Sequence, residues 1–96
     1  MEMNTRPLLR EDLAIVELDG EAVIYDEATA DLHHLNPTAT SILWLCDGSA
    51  TIAESISQMA DAYGVSASDI AGEVRGVLEE FGRRGLLQEG PGSDDA

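Results

Sequence analysis

Two short apolar runs near the N-terminus predict a β-hairpin. The runs are residues 13–18 and 21–26. They are rich in aliphatic and β-branched residues, and the dipeptide Asp19-Gly20 separates them. Asp-Gly between two such runs favours a two-residue turn, because both turn positions need positive φ. Pairing outward from the turn puts Val16 opposite Val23 on one face and an isoleucine pair on the other. The sequence leaves open which of these apolar faces is buried.

A third extended run ends at a predicted junction between strand and helix. A turn over residues 27–30 leads into the run at residues 31–35. Asn36 is a favoured N-cap, because its side-chain oxygen can accept from free N–H groups of the first helical turn. Pro37 suits the first helical position and keeps Asn36 out of the helical region, so the strand must end there. We therefore expect an antiparallel meander whose third strand can be an edge.

Helical periodicity after this junction predicts three helices. Their apolar faces are Ala39, Ile42, Leu43 and Cys46; then Ile52, Ile56, Met59, Ala60 and Tyr63; then Ile70, Val74, Val77, Leu78 and Phe81. Asp47-Gly48 should end the first helix, and Thr51 with Glu54 forms a capping box for the second. The predicted class is α+β, with an N-terminal three-stranded antiparallel sheet followed by three helices.

The remaining helix signals are weaker. Gly64 stands where a C-terminal glycine ends the second helix, and Ser66 is a weaker cap for the third. Gly85 should end the third helix, after which Leu86 and Leu87 should fold back onto the core. Gly72 and Gly76 lie four residues apart inside that helix. Either a partner approaches the helix closely there, or both glycines are tolerated opposite the core face.

Composition limits the classes of partner. The chain has 96 residues, enough for one domain, with 19 acidic residues against 5 basic ones and a net charge of −14. This charge disfavours nucleic acid and anionic membranes and favours neutral or basic partners. The single cysteine excludes an internal disulfide and suits a cytoplasmic protein. We expect a flexible lead-in over residues 1–12, a domain over 13–87 and a disordered acidic tail over 88–96.

Candidate chemical groups give little support for catalysis. His33 and His34 are adjacent in a strand, so their rings should point to opposite faces and cannot converge on one metal ion. Cys46 lies on an apolar stripe, where a buried structural role is expected rather than a nucleophile. No pair of carboxylates lies in an apolar setting, and no phosphate loop or catalytic triad can be assembled. The sequence predicts neither an enzyme nor a metal or cofactor site.

A set of short motifs resembles the PqqD family, also called the RiPP recognition element. The motifs are Asp26-Glu27-Ala28-Thr29, Leu35-Asn36-Pro37-Thr38-Ala39, Cys46-Asp47-Gly48, the Thr51/Glu54 helix start and Arg84-Gly85-Leu86-Leu87. Each motif is weak alone, but together they are fairly specific and extend from about residue 13 to residue 87. The family includes the leader-binding proteins of lasso-peptide pathways.

The resemblance implies a winged-helix-like domain that binds peptide without catalysis. Such proteins hold the leader segment of a ribosomally made precursor as an added strand and present it to a radical SAM protein, a cyclase or a leader peptidase. The implied groove lies between the third strand and the third helix. Its implied residues are Asp31, Leu32, His33, His34, Leu35, Ile70, Glu73, Val74 and Val77.

Two other classes fit parts of the sequence. A winged-helix DNA-binding regulator would share the fold, but Arg75, Arg83 and Arg84 of the third helix are outnumbered there by acidic residues. An acidic carrier protein would share the size and charge, but its first third would not be rich in strands. Ser49 after Asp47-Gly48 also lacks the serine-leucine pair that usually starts a carrier helix.

Overall fold

The computed structural model describes residues 2–88. It contains three strands followed by three helices. These are β1 (Leu13–Leu18), β2 (Glu21–Asp26), β3 (Asp31–Leu35), α1 (Pro37–Leu43), α2 (Ile52–Tyr63) and α3 (Ala67–Arg83). The strands form one antiparallel sheet in the order β1-β2-β3. This architecture confirms the predicted α+β class. Residues 89–96, most of the predicted acidic tail, lie outside the described part of the chain.

The hairpin has the predicted turn and register. Asp19 and Gly20 have φ values of 56° and 80°, the positive values that a two-residue turn requires. Val16 pairs with Val23, as predicted. The structure also decides which face is buried: Ile24 is 0% exposed, whereas Val16 is 63% exposed. The helices cover the isoleucine face and leave the valine face open.

The junction after β3 forms as predicted, but α1 is shorter than its apolar pattern suggested. The Asn36 side chain accepts from the Ala39 N–H at 2.8 Å, and the helix ends at Leu43. Cys46 therefore lies beyond the helix. The backbone N–H groups of residues 45 and 46 donate three residues back instead of four, so the chain continues in tighter turns. These turns still bring Cys46 into the core, where it is 2% exposed.

All four free N–H groups at the start of α2 have acceptors. Two of them are satisfied within the helix start: the Thr51 side chain accepts from the Glu54 N–H at 3.0 Å, and the Glu54 side chain accepts from the Thr51 N–H at 2.8 Å. The predicted capping box is therefore complete. The other two acceptors are the carbonyls of Thr5 and Met3. The N-terminal segment thus helps to cap a helix.

The segment over residues 7–10 lies between two other pieces of chain. Backbone hydrogen bonds join it to residues 46–48 on one side and to residues 86–88 on the other. They run from Leu9 N–H to Cys46 O, Gly48 N–H to Pro7 O, Arg10 N–H to Leu86 O and Gln88 N–H to Leu8 O, at 2.7–3.0 Å. Residues 7–10, which lie in the predicted lead-in, are therefore hydrogen-bonded to the rest of the chain. Residues 1–12 have no hydrophobic period, so no local pattern indicated this packing.

Arg10 ties this segment to the sheet and to the end of α3. Its guanidinium donates to both carboxylate oxygens of Asp26, at 2.8 and 3.2 Å, and to the Gly85 carbonyl at 2.9 Å. Asp26 is 2% exposed. The Arg10 side chain, helped by the Ala28 N–H, holds the pKa of Asp26 below its usual range despite burial. A buried carboxylate needs such partners to stay charged.

The core fills the space between the sheet and the helices. Its buried members from the sheet are Ala22, Ile24 and Leu35, and the helices contribute Ile42, Leu43, Ile52, Ile56, Met59, Ile70, Val74, Leu78 and Phe81. Leu86 is 0% exposed, so the chain after α3 folds back as predicted. Helix α3 packs mainly on α2 and less on α1, while β3 contacts β2 and α1. Over residues 2–88 no helix is long and apolar enough to cross a membrane.

Replacing Gly76 with alanine should stabilise the domain. Gly72 and Gly76 both lie on the exposed side of α3, and an added Cβ would have no neighbour within 4 Å at either position. Alanine in a helix interior is favoured over glycine by about 1 kcal/mol. We expect Gly76→Ala to raise Tm by roughly 5 °C in thermal unfolding. Gly64→Ala is the matched control and should lower Tm, because Gly64 has φ of 71°. A lower Tm for Gly76→Ala would contradict this account.

Candidate functional site

The outer edge of β3 is the open end of the sheet. Within residues 2–88, β3 pairs with β2 alone, and β1 forms the opposite edge. An edge strand exposes backbone N–H and C=O groups that another extended chain can bind. Only alternate residues of β3 turn these groups toward the free edge.

The register of the sheet determines which residues of β3 direct their backbone groups to the free edge. In an antiparallel pair, successive residues direct their backbone groups alternately toward one neighbour and the other. Glu21 flanks the two-residue turn and bonds to β1, so Ala22 faces β3, where its partner is Leu35. It follows that β3 turns the groups of residues 31, 33 and 35 toward β2. The N–H and C=O groups of Leu32 and His34 point to the free edge.

Thr40 of α1 closes the end of the β2–β3 pairing. Its hydroxyl accepts from the Ala22 N–H at 2.9 Å and lies 3.4 Å from the Leu35 carbonyl, to which it donates. The hydroxyl thus lies between Ala22 and Leu35, the last paired residues of β2 and β3. It is the hydrogen-bond partner of the Ala22 N–H and of the Leu35 carbonyl. Sequence reasoning missed this residue. The only signal was a threonine next to the apolar face of a short helix.

The side chains of β3 divide between the two faces of the sheet. Leu32 is 69% exposed on the open face, where His34 also lies and approaches Glu21 at 3.0 Å. His33 is half-buried on the inner face, and its Nε2 is buried without a hydrogen-bond partner. The two histidine rings therefore lie on opposite faces. Among residues 2–88, no group of three His, Cys, Asp or Glu side chains could hold a metal ion.

Three of the predicted site residues belong to the core. Ile70 and Val74 are 4% and 0% exposed, because α3 turns this face toward the other helices. Leu35 is 4% exposed, and its backbone faces β2. Their side chains are buried and offer no surface to a peptide in this structure, so their part in peptide binding stays a prediction. The family's general groove between strand and helix does not specify which helical positions are accessible.

The other predicted residues lie where a peptide could reach them. Asp31 and Glu73 are exposed, and Val77 is half-buried one turn after Glu73 on α3. Glu73 and Val77 share one flank of the helix, since residues four apart are neighbours on its surface. The solvent-accessible members of the predicted site are thus Leu32 and His34, through their backbone, and the side chains of Asp31, His33, Glu73 and Val77.

Arginine contacts at the end of α3 argue against DNA binding. Glu80 accepts hydrogen bonds from Arg83 and Arg84, and these bonds hold the pKa of Glu80 below its usual range. Two of the three arginines that DNA would need are therefore engaged with a carboxylate.

Burial raises the pKa of the Cys46 thiol to about 12, so Cys46 is a neutral thiol at physiological pH. A neutral buried thiol is a poor nucleophile.

Two shallow surface depressions are lined by residues outside β3 and α3. One is at the start of α2 and is lined by Ser49, Ala50, Ala53, Glu54, Ser57 and Gln58. The other is lined by Arg10, Glu11, Asp12 and Gln88. Neither combines an apolar lining with a convergent set of catalytic groups. The edge of β3 remains the strongest candidate site.

Comparisons with known proteins agree with this fold. A solved structure entitled "TbiB1 in Complex with the TbiA(beta) Leader Peptide" superposes with a TM-score of 0.75 at 17% sequence identity. The alignment covers 84% of this chain and 94% of that chain, so the two share a fold. No curated protein matches the sequence. The family model described as "Coenzyme PQQ synthesis protein D (PqqD)" matches residues 21–87, well over half of the sequence. The chain therefore belongs to the PqqD family.

Proposed function

We propose that this protein binds the leader segment of a ribosomally synthesised precursor peptide as a fourth strand beside β3. It then presents the precursor to a modifying enzyme or leader peptidase and performs no chemistry itself. The proposal places the protein in the cytoplasm, where the ribosome releases such precursors. Family membership supports it, and so does the shared fold with a protein solved as a leader-peptide complex.

The observation that carries the proposal is the open row of backbone groups on β3. Leu32 and His34 offer two N–H donors and two C=O acceptors at the free edge. Four backbone hydrogen bonds contribute about 1 kcal/mol each, or about 4 kcal/mol in all. That corresponds to a Kd of about 1 mM before the cost of ordering the peptide. Backbone pairing alone therefore gives weak binding, and side-chain contacts must supply the remaining affinity.

The side chains beside this edge indicate what kind of leader would bind. Alternate residues of an added strand would point to the inner face of the sheet, on the same side as His33. Asp31 and Glu73, two further residues of the predicted site, are acidic and exposed. We expect an apolar residue at the inward position and basic residues nearby. With a net charge of −14, association should also slow as salt is added.

A titration followed by NMR tests the proposal. The probe is a synthetic leader segment of the precursor encoded beside this protein, added to the ¹⁵N-labelled chain. We expect the largest amide shifts at Leu32 and His34, whose N–H groups would gain acceptors. A scrambled peptide of the same composition is the control. Unchanged amides over residues 31–35 at millimolar peptide would reject the proposal.

A further inference from the structure

The open face of the sheet is unusually apolar for a protein of this charge. Its exposed side chains are Val16 at 63%, Leu18 at 71% and Leu32 at 69%, with Val23 at 36% and Tyr25 at 38%. The register places all five on the same face, opposite the isoleucine face that the helices cover. The largest apolar patch on the surface of a monomer is often a binding site.

Acidic residues stand at both ends of this face. Asp19 and Glu21 lie at the β1–β2 turn, and Glu11, Glu27 and Asp31 lie at the opposite end. An apolar centre with an acidic rim matches a protein surface with an apolar centre and a rim of lysine or arginine. The same rim repels lipid phosphates and nucleic acid.

A second copy of this chain is a poor match for the same face. Each copy carries a net charge of −14 and would place its acidic rim close to that of its neighbour. Two strands of six residues and one of five cover roughly 14 by 20 Å, or about 300 Å². A stable interface needs about 800 Å² from each partner. The face is therefore too small and too acidic to form a homodimer by itself.

An added strand at β3 would enlarge this face. Alternate side chains of a bound leader would lie on the open side of the sheet, directly beside Leu32 and His34. The face and the leader would then form one continuous surface, which exists only when the leader is bound. A partner that contacts both parts would distinguish the loaded protein from the empty one.

We infer that the open face formed by Val16, Leu18, Val23, Tyr25 and Leu32 is the docking surface for the enzyme that processes the bound precursor. That enzyme contacts it through an apolar patch flanked by basic residues. The outward side chains of the leader complete the interface. This inference rests on the proposed leader binding and adds the partner's docking surface to it.

The test separates leader binding from enzyme docking. Val16→Thr with Leu18→Thr removes apolar surface on β1, the strand farthest from β3, and keeps β-compatible side chains. Val65→Thr is the matched control, because Val65 is also exposed, at 43%, but lies between α2 and α3. Each variant is first checked for wild-type circular dichroism. Leader affinity is measured by fluorescence anisotropy, and the affinity of the leader-loaded protein for the purified processing enzyme by surface plasmon resonance.

We expect the β1 double variant to bind the leader within twofold of wild type and the enzyme at least tenfold more weakly. Val65→Thr should bind both as wild type does. The inference is overturned if the double variant still binds the enzyme normally, or if Val65→Thr weakens enzyme binding equally. Failure of the wild-type protein to bind the leader would instead reject the proposed function, so the two failures are distinguishable.

Discussion

Replacing His34 with proline should remove leader binding and leave the domain folded. The N–H of His34 points to the free edge, so its loss costs the β2–β3 pairing nothing. Proline is tolerated on edge strands for this reason. The incoming peptide would lose one hydrogen bond and would meet the proline ring at the edge. We expect at least a tenfold rise in Kd for a labelled leader peptide in fluorescence anisotropy, with Tm within a few degrees of wild type.

The alanine variant at the same position separates the backbone from the side chain. His34→Ala removes the imidazole and its contact with Glu21 at 3.0 Å but keeps the N–H. A surface pair of this kind contributes at most about 1 kcal/mol. We therefore expect His34→Ala to bind within a few-fold of wild type. Wild-type binding by His34→Pro would show that the leader does not pair with this edge.

Replacing Asp26 with asparagine should destabilise the domain strongly. Asp26 is 3% exposed at its side chain and receives both guanidinium contacts from Arg10. Removing one partner of a buried pair leaves the other without its counter-charge. Arg10 also holds the N-terminal segment against Gly85, so the loss would loosen the chain after α3. We expect Tm to fall by roughly 10 °C in thermal unfolding at neutral pH. Asp12→Asn is the matched control, because Asp12 also contacts Arg10 but is 63% exposed, and it should change Tm little.

The same variant should change the pH dependence of stability. The pKa of Asp26 is lower in the folded chain than in the unfolded one, chiefly because Arg10 donates to it. Its stabilising effect is therefore present above the unfolded pKa of about 3.9 and is lost as pH falls through the folded pKa. The difference in Tm between wild type and Asp26→Asn should shrink as pH falls below about 4. A constant difference from pH 7 to pH 2, or an equally large effect of Asp12→Asn, would contradict this account.

Local signals predicted most of the secondary structure of this protein. The positive φ values at Asp19 and Gly20, the cap at Asn36 and the capping box at Thr51 depend on residues close in sequence. Each is a short-range preference of backbone or side chain, so it can be identified without knowing the rest of the fold. The length of helix α1 was overestimated, because Cys46 continues the apolar period although the helix ends at Leu43. Burial of Cys46 was still predicted correctly, since the period reports which side chains face the core.

The candidate site was predicted less well, because accessibility is a property of the assembled layers. Strand pairing and resemblance together pointed to β3, and the structure leaves its outer edge unpaired by any described residue. The resemblance also named Ile70 and Val74, whose exposure depends on how α3 rotates against α2 and α1. That rotation places both side chains in the core. No local pattern in the sequence reports the rotation of one helix against another.

The sequence by itself determined the order of elements, the turn and caps that separate them, and the acidic charge that limits the partners. Tertiary structure decided which sheet face is covered, which backbone groups of β3 remain open, and how Arg10 fastens the N-terminal segment to Asp26 and Gly85. The reason is the range of the interactions. Turns and caps involve neighbouring residues. Burial and edge exposure depend instead on contacts between residues far apart in sequence. The hydrogen bond from Arg10 to the Gly85 carbonyl, for example, spans 75 positions and forms only when the layers pack.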